Sequence, residues 1–424
     1  MKTQQFSLAK AAAIRQALLD LGIAYGTNIF SVAGAESKPR LYRIAPSWYT
    51  LWPEQWQEIK DFGGLLPELL RTMDNWDGTA TYVRADFIVG AKGRLQLTEA
   101  GLTPVWDYFA EMSRRIYHEI LGLPEDCFDP FPGGATAIRS AIKSLIGNRR
   151  LVILVGPHRL SYSGDYRATG NYFGQGGSRG VVITNQASLL QSGDLVYRTF
   201  TEWEMGHYYP LQALANRITK GEISVWPAFS QLESKLWLAD VFTDGQRWSR
   251  GELKKIRPFI PWTWPVDPKQ PPQYEGRTLR WATEELIGRE PKGLVLKPIN
   301  GGQGRDIAFS RDLAPADWRA WVLQELLAAA ENGKPRSILQ REINALDQKM
   351  TFLEPDGHEL VSGNGFRTRL CVAYIVEGDK ATPVDAEATL RANRLVHGAS
   401  DAINLPVVVR TVIPASEPES RKDG

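Results

Sequence analysis

The sequence predicts an α/β (α+β) fold of more than one domain, on three observations. The chain has 424 residues, more than are usually organised around a single hydrophobic core, which favours two or three domains. Residues 150–227 alternate short apolar strands with helical or polar stretches, as in a small domain with a parallel sheet. Elsewhere, at 81–99 and 293–307, paired strands flank glycine-rich turns, which indicates antiparallel hairpins.

Composition narrows the classes of protein to consider. Hydrophobic residues make up 43% of the chain and charged residues 23%, as in globular proteins, and the formal net charge is +2. This charge gives no electrostatic argument for nucleic acid or a membrane as a partner. We find neither a bilayer-spanning apolar run nor a signal peptide, so we expect a cytoplasmic protein. The two cysteines lie far apart and the five histidines are scattered, so neither indicates a zinc site.

The hairpin at 81–99 carries the first candidate site residues. If residues 90–93 form its loop, Asp86 lies opposite Leu97 and Arg84 lies opposite Glu99. Because side chains alternate along a strand, all four would share one face. The hairpin is therefore predicted to bring one arginine and two carboxylates together.

Apolar periodicity predicts the remaining elements. The predicted helices are 8–25, 54–73, 105–122, 134–147, 230–242, 277–288 and 316–331. The predicted strands are 150–156, 180–184, 194–198, 222–226, 337–343, 368–376 and 405–412. The proline-rich stretch 257–275 indicates an extended boundary, and the polar tail after residue 413 is expected to be disordered.

A lysine and a glycine-rich turn form the most informative motif. Lys297 ends an apolar strand, and a turn with Gly301, Gly302, Gln303 and Gly304 follows it. Glycine lets backbone N–H groups approach an anion closely, as the phosphates of a nucleotide require. The same segment fits a plain hairpin, and the two interpretations are compatible. A second glycine-rich stretch, 174–180, could bind an anion, but it is better explained as a turn before a strand.

The order of these motifs resembles the circularly permuted ATP-grasp family. The segments that carry the resemblance are the hairpin with Arg84, Asp86 and Glu99, Ser234-Lys235, Lys297 with its glycines, Gln340-Arg341-Glu342, the strand from Arg369, and Ala388 to Arg391. The similarity is to the synthetase domain of glutathionylspermidine synthetase-like proteins and covers about residues 75–410. It implies N-terminal helices with the metal-binding hairpin of the ATP-grasp core at 1–125, an inserted pre-ATP-grasp-like α/β domain at 126–245, a nucleotide-binding region at 246–412 and a tail at 413–424.

The resemblance implies an enzyme: an ATP- and Mg²⁺-dependent ligase that joins a carboxylate to an amine, or to a peptide, through an acyl phosphate. It assigns ATP contacts to Lys235, Lys297, Gly301, Gly302, Gln303, Gly304, Gln340 and Glu342. It assigns magnesium to Asp86 and Glu99, and it assigns the stabilisation of charge during the reaction to Arg84 and Arg391. Asn393 and His397 are weaker candidates near the same site.

One departure from the family pattern leaves alternatives open. The family has an asparagine two residues after the metal-binding glutamate, whereas this chain has Gly101 there. Water could replace the missing ligand, because Mg²⁺ keeps several waters readily. Otherwise the chain could be an inactive ATP-grasp-fold protein that binds nucleotides or partners. A small-molecule phosphotransferase is a third hypothesis. The acid and amine substrates and the oligomeric state are not predicted.

Overall fold

The computed structural model has a mixed α/β fold. It describes residues 7–24, 43–104, 107–156, 159–160, 163–174, 181–207, 209–243, 247–283, 286, 293–301, 306–354, 359–396 and 401–411. The helices are α1 (Leu8–Ala24), α2 (Pro53–Asp74), α3 (Asp107–Leu121), α4 (Gly134–Ile146), α5 (Ser163–Gly174), α6 (Glu202–His207), α7 (Tyr209–Thr219), α8 (Leu236–Asp240), α9 (Arg250–Ile256) and α10 (Pro315–Asn332).

The strands form three larger sheets and one short hairpin. They are β1 (Tyr49–Leu51), β2 (Thr81–Val89), β3 (Leu95–Gly101), β4 (Cys127–Phe128), β5 (Leu151–Leu154), β6 (Val181–Thr184), β7 (Leu195–Arg198), β8 (Ser224–Trp226), β9 (Thr263–Pro265), β10 (Gln273–Tyr274), β11 (Arg277–Thr278), β12 (Leu294–Pro298), β13 (Ala308–Phe309), β14 (Ser337–Arg341), β15 (Gln348–Leu353), β16 (Leu360–Glu377), β17 (Lys380–Arg391) and β18 (Ile403–Arg410). No helix among these residues is long and apolar enough to cross a membrane.

The main sheet joins strands from both ends of the chain. Its order is β1-β18-β17-β16-β2-β3, with β15 added beside β16 and β4 beside β18. All pairs are antiparallel except β1 with β18. The hairpin at 81–101 therefore lies directly against the long strand β16, far away in sequence.

One face of the main sheet is apolar and packs against α2. Phe62 of this helix meets Phe87 of β2 edge to face, with ring centroids 5.2 Å apart. The Tyr374 hydroxyl of β16 donates a hydrogen bond to the Ile59 carbonyl at 3.0 Å. A β-carbon at Gly63 would lie only 3.0 Å from the Tyr374 ring, so glycine permits this close approach.

The parallel sheet has the order β6-β5-β7-β8, which confirms the predicted parallel strands. Its central strands β5 and β7 are buried on both faces, as continuous apolar strands predict. Ile153 packs in one core together with Tyr82 of the main sheet. Val152 and Leu154 pack on the opposite side in a second core.

The third sheet has the antiparallel order β13-β12-β14-β9. Helix α10 covers one of its faces, where Trp318 and Val322 share a core with Leu296 and Leu339. The opposite face carries Lys297 and Gln340, because both alternate with these core residues along their strands. Ile338 on that face belongs to the core of the main sheet, so the two sheets are neighbours.

Two predicted helices are wrong in part. Residues 277–278 form a strand that pairs with β10, because Glu275 and Gly276 take positive φ angles and make a turn. The predicted helix 230–242 is broken: a 3₁₀ turn, Gln231–Glu233, precedes α8. Ser230 caps that turn by accepting a hydrogen bond from the Leu232 N–H. Apolar spacing alone did not detect this local turn chemistry.

Candidate active site

The hairpin of β2 and β3 is paired differently from the prediction. Asp86 lies opposite Glu99, Arg84 lies opposite Gly101, and Leu97 pairs with Phe87 on the apolar face. The cause is a β-bulge beside Asp86 that adds a residue to β3. The three charged side chains still share one face, but the two carboxylates are now direct cross-strand neighbours.

Two arginines share the carboxylate of Asp86. The Arg84 Nε lies 3.1 Å from Oδ1, and Arg369 of β16 approaches Oδ2 at 3.7 Å. Burial acts to raise the pKa of Asp86, but the two guanidinium groups outweigh it and the pKa lies below its usual value. Asp86 is therefore held as an anion, and two positive charges surround one negative charge.

Lys235 links the main sheet to the glycine turn. It lies at the N-cap of α8, and its backbone N–H donates to the Ile299 carbonyl at 2.9 Å. Its ammonium lies 3.2 Å from Glu99 Oε2 and donates a hydrogen bond to the Gly301 carbonyl. One lysine therefore contacts both a carboxylate predicted to bind magnesium and the turn predicted to hold phosphates.

A buried arginine fixes the segment that precedes Lys235. Arg198, at the end of β7, is fully buried and donates to the Pro227 carbonyl at 2.6 Å. It also donates to Glu233 at 2.9 Å, and Glu233 accepts from the Thr103 hydroxyl at 3.1 Å. The parallel sheet thereby positions Lys235 relative to the end of β3.

Lys297 lies on the facing sheet in a desolvated position. Its ammonium donates to Gln340 Oε1 at 2.6 Å, and the Gln340 amide donates to the Thr263 hydroxyl at 2.9 Å. The pKa of Lys297 is lowered to about 8, chiefly by burial and also by the nearby Lys235, while Glu99 opposes the shift. A phosphate group here would supply the negative charge that Lys297 lacks.

The remaining predicted nucleotide contacts are placed unevenly. Gly301 is described, whereas Gly302, Gln303 and Gly304 lie outside the described residues, as does His397. Glu342 follows β14 and is almost buried. Its carboxylate pairs with Arg311 at 3.4 Å and with Arg394 at 3.6 Å. These cations neutralise Glu342 at a distance from the Lys297 ammonium.

Arg391 lies on the main sheet in a different row from Asp86 and Glu99. Arg391 lies opposite Arg367, and it donates to Asp401 at 2.7 Å and to the Leu395 carbonyl at 3.0 Å. Glu387 of β17 lies in the same row of the sheet as Asp86. Four residues along β17 separate Arg391 from Glu387, which corresponds to about 13 Å along the strand. Asn393 lies in the same loop and accepts from the Leu395 N–H.

Sequence reasoning missed the polar residues that β16, β17 and β18 add to the charged face. The register aligns Asp86, Cys371 and Glu387 in one row across three strands. In the neighbouring row Arg369, Thr389 and Asn404 are aligned. Burial raises the pKa of Glu387 to about 7 and that of the Cys371 thiol to about 12. The detectable signal was the alternation of polar with apolar residues along each strand.

The carboxylates fit a magnesium ion that a nucleotide brings with it. Mg²⁺ is usually bound by one or two carboxylates plus phosphate oxygens and water. Asp86 and Glu99 offer two carboxylates, while a β-carbon at Gly101 would meet no atom within 4 Å. The described residues contain no group of three potential His, Cys, Asp or Glu ligands. A metal at this place would therefore depend on oxygens from outside the protein.

Comparisons with known proteins add little to this geometry. No family model and no curated protein matches the sequence. Among solved structures, the chain is similar to the "Putative gamma-glutamylcysteine synthetase" of Methylobacillus flagellatus KT at 12% identity. The match covers 81% of this chain and 83% of that one, with a TM-score of 0.42. A likeness at this level carries no argument, so the function is argued from the site.

Proposed function

We propose that this chain is an ATP- and Mg²⁺-dependent carboxylate–amine ligase with a circularly permuted ATP-grasp fold. The observation that carries the proposal is the convergence of Lys235, Lys297, Asp86, Glu99 and the glycine turn, which come from distant parts of the sequence. Lysines and backbone N–H groups suit phosphates, and the carboxylates suit the metal that accompanies them. We expect a cytoplasmic enzyme with small-molecule acid and amine substrates.

The proposed reaction has two steps. A carboxylate oxygen of the acid bonds to the γ-phosphorus of ATP while the bond to the bridging oxygen breaks and ADP leaves. The amine nitrogen then bonds to the carbonyl carbon, loses a proton, and inorganic phosphate leaves. Phosphoryl transfer requires charge neutralisation and in-line positioning more than covalent help from the protein.

Each charged group has a distinct part in this scheme. Lys235 and Lys297 together neutralise the phosphates, and Arg84, beside Asp86, neutralises the oxygens of the transferred group. Magnesium held by Asp86 and Glu99 would supply further charge neutralisation when bound. Cys371 takes no part as a nucleophile, because its raised pKa keeps the thiol protonated.

The deciding experiment is calorimetric titration of ATP with and without Mg²⁺, on wild type and on Lys297→Ala. We expect magnesium-dependent binding that weakens about ten- to a hundredfold in the variant, since a charged hydrogen-bonding partner is lost. Lys349→Ala, which removes an exposed lysine of β15, should bind like wild type.

Turnover is then measured as ADP release with a panel of acids and with hydroxylamine as the amine. Hydroxamate formation would support the ligase. Binding of ATP without any turnover would favour the non-catalytic alternative that Gly101 motivates. A stable phosphorylated product without hydroxamate would instead favour the phosphotransferase. Binding that Lys297→Ala leaves unchanged would refute the site itself.

A further inference from the structure

A group of four polar side chains lies on the charged face beside the proposed metal pair. Arg369, Glu387, Thr389 and Asn404, here called the mixed-charge patch, come from three adjacent strands. Thr389 lies between Arg369 and Asn404 in one row across the three strands. The Arg369 guanidinium contacts the Thr389 hydroxyl at 3.4 Å. Glu387 is a diagonal neighbour of Arg369, at a backbone separation of about 7 Å.

Three members of the mixed-charge patch have unused binding capacity. The Arg369 Nε and the Asn404 Oδ1 are buried and have no hydrogen-bond partner within the described part of the chain. No hydrogen bond or ion pair joins Glu387 to another described residue, although burial penalises its charge. Buried polar groups without partners are uncommon, and each calls for an explanation. A bound molecule with both a donor and an acceptor would satisfy them.

The signs of the charges narrow the chemistry of that molecule. Arg84 and Arg369 share the carboxylate of Asp86, and Arg369 approaches it only at 3.7 Å, so Arg369 has no hydrogen-bonded carboxylate among the described residues. A second anion is therefore attracted to Arg369, but a purely anionic ligand would be repelled by Glu387. A purely cationic ligand would match Glu387 and leave Arg369 without a hydrogen-bonded anion. A molecule that carries both charges side by side satisfies both groups.

The order of the groups also gives the ligand a direction. Arg369 contacts Asp86 of the proposed metal pair, whereas Glu387 lies two strands from Asp86, a separation of about 10 Å. A zwitterion on the patch would turn its carboxylate towards the metal pair and its ammonium group away. The carboxylate, not the amine, would then lie where the phosphoryl group is transferred.

We propose that the mixed-charge patch binds an α-amino acid as the acid substrate, with the carboxylate at Arg369 and the ammonium group at Glu387. This assignment rests on the proposed ligase function, since it states which acid that site activates. Asn404 Oδ1 accepts a second hydrogen bond from the ammonium group, and Thr389 closes the patch between them. Glu387 is therefore the residue that distinguishes amino acids from simple carboxylic acids.

The test compares each amino acid with its analogue that lacks the amino group. L-Alanine is paired with propionate and L-glutamate with glutarate, with ATP, Mg²⁺ and hydroxylamine present. Wild type should prefer the amino acid by at least about tenfold in kcat/KM, because leaving the half-buried Glu387 carboxylate unpaired is unfavourable. Glu387→Gln should reduce this preference towards one. Glu377→Gln, at the exposed end of β16, is the matched control and should retain it.

A binding measurement separates this inference from the ligase proposal. Calorimetric titration of L-alanine, L-glutamate and ethylamine into wild type and Glu387→Gln needs no turnover. Amino acid binding that Glu387→Gln abolishes, without hydroxamate from any acid, would support the patch and refute the ligase. Equal turnover of propionate and L-alanine would support the ligase and overturn the patch. Binding of ethylamine as tight as that of L-alanine, or no binding of either amino acid, would also overturn it.

Discussion

The two faces of the main sheet are made by alternate residues of the same strands, yet they obey different rules. On the face against α2, residues such as Phe87 and Leu370 are fully buried and belong to one hydrophobic core. On the other face, the residues adjacent to these two in sequence, Asp86 and Arg369, carry charges, and Asp86 is buried. The first face has the composition of an ordinary core, whereas the second does not.

This difference separates stability from function within one sheet. Burying charged groups costs free energy, and replacing a buried ion pair by apolar residues often stabilises a protein. The pKa of Glu387 is raised to about 7, which shows that its charge is disfavoured where it lies. The apolar face explains why the sheet folds. The charged face requires an explanation from what the sheet binds.

The largest expected effect is on the apolar face. Phe87→Ala should lower the free energy of unfolding by about 3–5 kcal/mol, because it removes a fully buried ring that packs on Phe62. Cys371→Ala, on the charged face of the adjacent strand, should cost about 1 kcal/mol or less. Urea unfolding monitored by circular dichroism measures both. Equal losses from the two variants would contradict the distinction between the faces.

Removing a charge from the other face should raise the free energy of unfolding rather than lower it. The pKa of Glu387 lies at about 7, above the ordinary 4.5, so the folded chain binds more protons than the unfolded chain between these values. The stability of the folded chain that Glu387 contributes is therefore fully present below pH 4.5, where the carboxyl is protonated. It is lost as the pH rises through 7 and the carboxyl becomes charged. Glu387→Gln should therefore be more stable than wild type at pH 8, by about 1–3 kcal/mol, with the difference vanishing near pH 4.

This comparison holds because the surrounding charges are the same in both proteins. The charged or titratable groups around Glu387 are Arg84, Asp86, Tyr117, Arg369, Cys371 and Asp385. Asp385, with a pKa of about 6, titrates in the same range in wild type and variant. Urea unfolding at pH 4, 6 and 8 gives the difference directly. A variant less stable than wild type at pH 8 would mean that Glu387 is a structural anion.

The smallest effect on stability is expected at Gly101. This residue has open space where a side chain would begin, and its backbone is not in the left-handed region. Gly101→Asn should change the free energy of unfolding by less than about 1 kcal/mol. It should lower the Mg²⁺ concentration needed for half-maximal ATP binding by up to about tenfold, by adding an oxygen beside Asp86 and Glu99. Titration of Mg²⁺ at fixed ATP tests this, and unchanged metal dependence would place the metal elsewhere.

Local features of this chain could be predicted from the sequence, and pairings over long distances could not. The strands of the parallel sheet follow from continuous apolar segments, because residues such as Val152 and Ile153 are buried on both faces. The hairpin with Asp86 follows from its glycine turn. Its register did not, since the bulge next to Asp86 has no distinct sequence signal.

The candidate site shows the same limit. The motifs indicated Lys235 and Lys297 individually, but their proximity depends on the packing of α8 against β9 and β14 of the sheet that contains Lys297. Arg369 and Glu387 were missed because nothing in the sequence states that β16 lies between β2 and β17. Asp86 precedes all strands of the parallel sheet in the sequence, and Cys371, with which it pairs, follows all of them. Only tertiary structure brings these rows of side chains together.

The position of Lys235 has a consequence for the order in which ligands bind. Its ammonium neutralises Glu99 and also holds the Gly301 carbonyl. If phosphate oxygens draw the Lys235 ammonium away, Glu99 and the turn at Gly301 lose their common partner at the same time. Metal that binds alone finds Glu99 already paired with Lys235. Metal that binds together with a nucleotide finds Glu99 unpaired, because the phosphates have drawn Lys235 away. In the proposed ligase, nucleotide and metal would thereby be thermodynamically coupled, and each would raise the affinity for the other by the same factor.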